Sequence, residues 1–316
     1  MTARARVLAI VAVAAVAAGA GTVGVTLLQT RGEHTTRPGV QKGKPPLELA
    51  FGLRSDPEAK ALARAAGLYT AHRYAAAGAV FRRYDSLEAQ IGAAFAAWPG
   101  HGLDTLKRLV ASHPSSALAE LHLGLAFYWS GRSADAAAAW RRAVAVGPDT
   151  PYALSAASFL HPEMPPLPVP IFLPSSPAPG VASVPALARL ARGRDVAARL
   201  YYGIALQQLG HAVSAEREFA AAAALAPDDP EALTAAAFGR FTKDHPERAF
   251  SRLGPLARRF PKAAVVRFHL GYLLVWIGAR AQAAKELRLA VADGPGTAYA
   301  REGNVLLASL VRNGTK

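Results

Sequence analysis

The sequence predicts an all-α chain, about seven antiparallel helical hairpins wound into a superhelix and preceded by one transmembrane helix. Three observations predict it. Val7 to Leu28 run for 22 residues without a charge, and from Leu47 onward the chain becomes a series of alanine-rich amphipathic segments. Prolines also recur at a fixed interval: Pro227, Pro261 and Pro295 are evenly spaced, and Pro114 and Pro148 repeat the same step. A self-similar period of about 34 residues marks a stack of repeated supersecondary units.

Composition bounds the chemistry. With 316 residues, 52% of them hydrophobic and 18% charged, the chain can form a packed core and is too apolar for a disordered coil. It contains no cysteine, which excludes disulfide scaffolds, thiolate metal sites, iron-sulfur ligation and cysteine nucleophiles.

The first element is the apolar run within residues 1–28. Arg4 and Arg6 precede it, and as a helix it would reach about 33 Å, enough for a hydrocarbon core of roughly 30 Å. A cleaved signal peptide competes with this reading, because Ala18-Gly19-Ala20 is an acceptable cleavage site. The apolar run continues past that site to Leu28, which favours an uncleaved anchor through residues 7–28. Gly19-Ala-Gly-Thr-Val-Gly24 spells a G-x-G-x-x-G, but polar Thr30 to Thr36 and Pro38-Gly39 follow where a nucleotide-binding unit needs an amphipathic helix. The glycines are better explained as small residues in a membrane helix, with Ala17/Gly21 and Ala20/Gly24 at the spacing of a weak self-association seam.

Basic residues flank the run on both sides, so the short N-terminal tail decides the expected orientation. A single-pass protein of the cell membrane with its bulk outside the cytoplasm is expected; secretion after cleavage and a cytoplasmic-facing bulk are the alternatives. Residues 29–49, rich in Thr, Gly, Pro and Lys, read as a flexible stalk.

Residues 50–312 form the repeat domain. Val196 to Asp229 carries Tyr202-Gly203, Leu206, Gly210, Ala215, Phe219, Ala222 and Pro227. Ala117 to Thr150 matches it in place with Leu123-Gly124, Phe127, Gly131, Ala136, Trp140, Ala143 and Pro148. Ala264 to Thr297 repeats the series as Leu270-Gly271, Leu274, Gly278, Ala283, Leu287, Ala290 and Pro295. Pro230 to Ala263 follows more loosely. Small residues at the eighth and twentieth positions allow two helices to cross closely, a large residue fills the space between hairpins, and proline ends the second helix.

This pattern resembles the tetratricopeptide repeat (TPR) family. The resemblance is strong over about half of the chain, weaker over Glu58 to Ser116, and implies a right-handed solenoid. The weak region contains a junction about nine residues short of the period, and Tyr299 to Leu310 reads as a closing helix.

One unit, Pro151 to Asp195, carries eleven extra residues within a proline-rich insert over 161–185 that has no charge from Met164 to Ala188. It reads as a packed loop, a docking strand, or a flap in the chain's own groove.

The resemblance places protein or peptide binding on the concave face lined by first helices. The expected partner-binding groove is Leu125, Tyr128, Trp129, Ile204, Phe238, Phe241, Phe268, Tyr272 and Trp276, with Leu121, Leu200, Gln208 and Thr234 also pointing inward. Aromatic side chains there would supply large contact area at low entropic cost. The competing reading is that each is an ordinary core residue. Family members that clamp acidic tails use Lys and Asn at positions filled here by Leu125, Ile204, Phe238 and Tyr272, so that specificity is not implied.

The chain carries a formal net charge of +14, yet no basic run in the repeats exceeds two residues, so nucleic acid is not an expected partner. Nine histidines are scattered without metal spacing, and H-E-x-x-H and G-x-S-x-G are absent. His122 and His269 occupy equivalent repeat positions, which points to packing. No catalytic, cofactor or metal residues are expected. The sequence thus reads as a membrane-anchored, non-enzymatic scaffold; the alternative is a carrier of envelope lipid or anionic polymer.

Overall fold

The computed structural model describes residues 41–165, 169–175, 178–181 and 183–312. The expected membrane span lies outside them; among the described residues no helix is long and apolar enough to cross a membrane. They form two compact units, one ending at Pro168 and one beginning at Val169.

The first unit holds α1 (Pro57–Thr70), α2 (Tyr74–Phe81), α3 (Leu87–Ala96), α4 (Gly102–Ser112), α5 (Ala117–Trp129), α6 (Ser133–Val146) and α7 (Pro151–Leu160). The second holds α8 (Val184–Ala191), α9 (Val196–Gln208), α10 (Ala212–Leu225), α11 (Pro230–Phe238), α12 (Glu247–Arg259), α13 (Ala264–Trp276), α14 (Arg280–Asp293) and α15 (Ala298–Arg312). In each unit three hairpins stack so that their first helices touch: α1, α3 and α5 in the first, α9, α11 and α13 in the second. A lone helix, α7 or α15, closes each stack against the last hairpin.

First helices α9, α11, α13 and α15 begin at Val196, Pro230, Ala264 and Ala298, evenly spaced at the interval read from the prolines. In the first unit the first helices begin at Pro57, Leu87, Ala117 and Pro151, so the first two steps are shorter than the third. The shortfall expected at one junction is therefore shared by two trimmed hairpins, in which α2 has only 8 residues and α3 has 10. The hairpin expected over 151–195 does not form as one unit, because α7 and α8 belong to different units. Six hairpins are described, against about seven expected.

Local chemistry sets the helix ends. Asp56, Ser116, Thr150, Asp195 and Asp229 cap first helices by accepting from backbone N–H groups of the first turn. Second helices have no side-chain cap, and α6, α10 and α14 instead follow a tight turn whose key residue is left-handed: Gly131, Gly210 and Gly278 at φ 77, 82 and 77°. The first hairpin puts His72 there, at φ 60°. Within a hairpin the helices nearly touch; a Cβ on Gly124 would stand 2.3 Å from Trp140 Nε1, and one on Gly203 would stand 2.5 Å from Phe219 Cε1. The small residue of the repeat is thus a steric requirement of the aromatic one.

Each unit has its own core. Phe81, Phe95, Leu121 and Leu125 anchor the first, and Phe172, Phe219, Phe238 and Leu200 the second. Phe172 belongs to no helix, and it leads to the site.

Candidate functional site

In both units the face lined by first helices is filled by an extended stretch of the same chain. Neither stretch is a β-strand, and each reaches its groove through main-chain hydrogen bonds to side chains that the helices hold in place.

In the first unit the strap comprises residues 41–51. Gln41 N–H donates to the carbonyl of Trp129 at the end of α5, and Lys44 Nζ donates to the Trp98 carbonyl while sitting 5.1 Å from the centre of the Tyr74 ring. Tyr69 of α1 donates its hydroxyl to the Pro45 carbonyl at 2.6 Å. Glu48 N–H donates to Nε2 of His122 at 3.2 Å, and the Tyr152 hydroxyl of α7 both accepts from Ala50 N–H and donates to the Ala50 carbonyl. Leu49 is buried in the core between these anchors. Residues 41–49, which composition assigns to a flexible stalk, are therefore docked. Their partners lie far along the chain, where local sequence cannot reveal them.

In the second unit the strap comprises residues 169–175, part of the proline-rich insert. Phe172 N–H donates to Gln207 Oε1 at 3.0 Å, and Leu173 N–H donates to Nε2 of His269 at 3.1 Å. Ser175 donates both its N–H and its hydroxyl to the Glu231 carboxylate, the hydroxyl at 2.8 Å. The Phe172 ring stacks on the imidazole of His269 with centroids 4.3 Å apart and also meets Phe219 and Phe238. This stretch of the insert thus occupies the groove of its own unit.

The two sites are built alike. His122 and His269 each lie on the third first helix of their unit, and the interval between them in the sequence also separates Tyr152 from Tyr299 on the closing helices. Each imidazole is fully buried with Nδ1 at 2.8 Å from the carbonyl four residues earlier, Leu118 or Val265. A carbonyl can only accept, so Nδ1 carries the proton and Nε2 presents a lone pair to the strap. Phe95 and Phe238 meet the two rings edge-on at 5.2 and 5.0 Å. Burial pulls the pKa down to about 4 for His122 and about 3 for His269, so both are neutral near pH 7. Burial also raises the pKa of Tyr69 and pushes Tyr152 up to about 12, keeping both hydroxyls protonated as donors. Glu48 shifts upward through loss of water, an effect that a hydrogen bond with Ser155 reduces.

Of the expected groove residues, Leu125, Ile204, Phe238, Phe241, Phe268 and Trp276 are buried. Tyr128, Trp129 and Tyr272 are half-buried and keep an edge towards solvent. Leu121, Leu200 and Thr234 are fully buried. Gln208 is half-buried, and its neighbour Gln207 holds the strap. The strap anchors His122, His269, Gln207, Glu231, Tyr69 and Tyr152 were not anticipated; the one legible signal was the equivalent placement of the two histidines. Glu218 and Glu286 pair with Arg199 and Arg267 at 2.9 and 2.8 Å, each bracing the two helices of a hairpin. Among the described residues no group of three or more His, Cys, Asp or Glu side chains gathers as a metal site.

The spacing of the first helices and the small-residue crossings within each hairpin decide the fold. It is TPR-like. No family model and no curated protein sequence matches this TPR-like chain. Among solved structures it is similar to yeast Tom70, at 13% identity over 79% of this chain and 47% of that one, with a TM-score of 0.32. A tetratricopeptide repeat protein from Parabacteroides merdae ATCC 43184 is similar at 12% identity, covering 80% of this chain and 98% of that one, with a TM-score of 0.32. Human IFIT1, solved as a dimer with PPP-AAAA, is similar at 16% identity over 83% of this chain and 66% of that one, with a TM-score of 0.35. The TPR-like chain spans about half the length of the Tom70 chain it matches.

Proposed function

We propose that this chain is a membrane-anchored, non-enzymatic scaffold that mediates protein-protein interaction by gripping extended polypeptide on the first-helix faces of its TPR-like units. The observation that carries the reading is the paired arrangement of Glu48 N–H on His122 and Leu173 N–H on His269. Both units hold an extended segment by its backbone, and side-chain fit at Leu49 and Phe172 adds selectivity. The chain's own straps are the resident occupants. A partner engages the half-buried edges at Tyr128, Trp129 and Tyr272, or replaces a strap and then meets Leu125, Ile204, Phe238, Phe241, Phe268 and Trp276. The anchor through residues 7–28 would hold the scaffold at the membrane, with its bulk outside the cytoplasm.

The test uses the full chain with its second strap weakened by Phe172→Ala and Leu173→Gly. A labelled peptide of residues 166–178 should bind this variant, fail to bind the unaltered chain, and lose binding when His269→Ala is added. A folded variant that ignores the peptide would remove the basis of the proposal. Reporter fusions after Lys316, one active only outside the cytoplasm and one only inside, test the orientation, and resistance to a carbonate wash tests the anchor.

A further inference from the structure

Outside the strap sites, the first hairpin carries a cavity of about 610 Å³ that neither strap fills. Arg64, Arg73 and Arg83 surround it, Leu68, Val80 and Tyr84 supply an apolar floor, and no carboxylate lines it. All three arginines are exposed, and among the described residues none of their guanidinium groups makes an ion pair or a hydrogen bond. Three other arginines of this unit are matched with acids, Arg54 with Asp56 and Glu88, Arg132 with Asp135, and Arg142 with Glu120, whereas Arg82, Arg108 and Arg141 are not. Three unmatched guanidiniums around an apolar floor suit a ligand that combines an anionic head with hydrocarbon.

The strap fixes where this pocket lies along the path of the chain. Arg73 immediately precedes Tyr74, the residue over which Lys44 sits, so the pocket adjoins the strap's entry into the unit. Only residues 29–40 separate the apolar run ending at Leu28 from the docked Gln41, and twelve residues reach at most about 40 Å. Exposed Lys42 adds a further positive charge on this approach.

From this we infer that the pocket bounded by Arg64, Arg73 and Arg83 docks the first unit onto the bilayer by taking the phosphate headgroup of an anionic phospholipid. The inference rests on the membrane anchor of the proposed function. It assigns the anchored scaffold a second contact with the bilayer, one that fixes how the first unit faces it. Each arginine near an anionic surface is worth roughly a fivefold change in the docking equilibrium, so three act together on the order of 100-fold.

The chain has no cysteine, so Ala75→Cys, exposed beside the pocket, accepts a single fluorophore. The labelled full chain is assembled into lipid discs of phosphatidylcholine with or without phosphatidylglycerol, each carrying a nitroxide-headgroup quencher. Emission should be quenched in the phosphatidylglycerol discs alone. The quenching should vanish with Arg64→Gln, Arg73→Gln and Arg83→Gln combined, while the helical circular dichroism is unchanged. Equal quenching in both discs, or quenching that survives the triple variant, would overturn the inference. So would protection of the arginines from a guanidinium reagent by inorganic phosphate without bilayer-dependent quenching, which would assign the pocket to a free anion. Disc retention separates the two claims: a chain that washes off its discs refutes the anchor and the docking with it, whereas a retained chain without quenching refutes the docking alone.

Discussion

Leu173 donates its backbone N–H to Nε2 of His269 at 3.1 Å, and Glu48 donates its own to Nε2 of His122 at 3.2 Å, at the equivalent place in the first unit. A buried imidazole that accepts from a strap must stay unprotonated, and that gives the fold an acid limit. Unfolded histidine titrates near 6.5, whereas the folded values are about 4 for His122 and about 3 for His269. Below pH 6.5 the unfolded chain therefore binds protons that the folded chain refuses, and stability falls as pH drops from 6.5 towards the folded values. Glu48 has the opposite sign, since its raised pKa lets the folded state take up a proton more readily than the unfolded one. The second unit is thus expected to be the more acid-sensitive, losing roughly 2 to 3 kcal/mol between pH 7 and pH 4.5. Urea titrations at the two pH values, read separately for each unit by hydrogen exchange, check this.

Phe172 is 2% exposed and rests on His269, Phe219 and Phe238 although it lies in a segment without regular structure. Phe172→Ala should cost about 3 to 5 kcal/mol through lost burial and the cavity left behind. Limited proteolysis should then cut within 161–180 well before the helices of the second unit. Chemical denaturation of the same variant gives the energy.

The array itself was largely legible. The evenly spaced prolines set the pitch of α9, α11, α13 and α15, because proline ends each second helix and small residues sit where Trp140 and Phe219 cross their partner helices. The trimmed helices α2 and α3 were not legible, since a shortened helix keeps its periodicity while losing its length. The candidate groove was legible as a set of aromatic positions but not as a filled one. Pro45 to Ala50 and Val169 to Ser175 have no helical or strand period, and their conformation is set by Tyr69, His122, Tyr152, Gln207 and His269 up to 102 residues away. Tertiary partners, not local propensity, decide such segments.

Tyr152 meets both polar groups of Ala50 with one hydroxyl, at 3.2 and 3.1 Å. Tyr152→Phe preserves the ring and removes both bonds. The expected cost is about 1 to 3 kcal/mol, confined to release of the strap. Hydrogen exchange should accelerate over residues 46–52 while α5 and α7 stay protected.

Two glycines separate steric from conformational cost. Gly124→Ala should destabilise by about 1 to 3 kcal/mol, because the new Cβ collides with the Trp140 indole. Gly278→Ala meets nothing within 4 Å, yet its φ of 77° is unfavourable for an L side chain and should cost about 1 to 2 kcal/mol. Thermal unfolding of the two variants measures both, and Leu in place of Trp140 should rescue only the first.

The central claim is that extended stretches of this chain fill its own grooves, and amide hydrogen exchange by mass spectrometry on the full chain tests it most directly. Peptides covering residues 46–52 and 170–176 should exchange as slowly as the first helices beneath them, and His269→Ala should release the second while leaving the first protected. If both stretches exchange in the unaltered chain at the rate of unstructured polypeptide while the helices remain protected, the grooves are open and the account is contradicted.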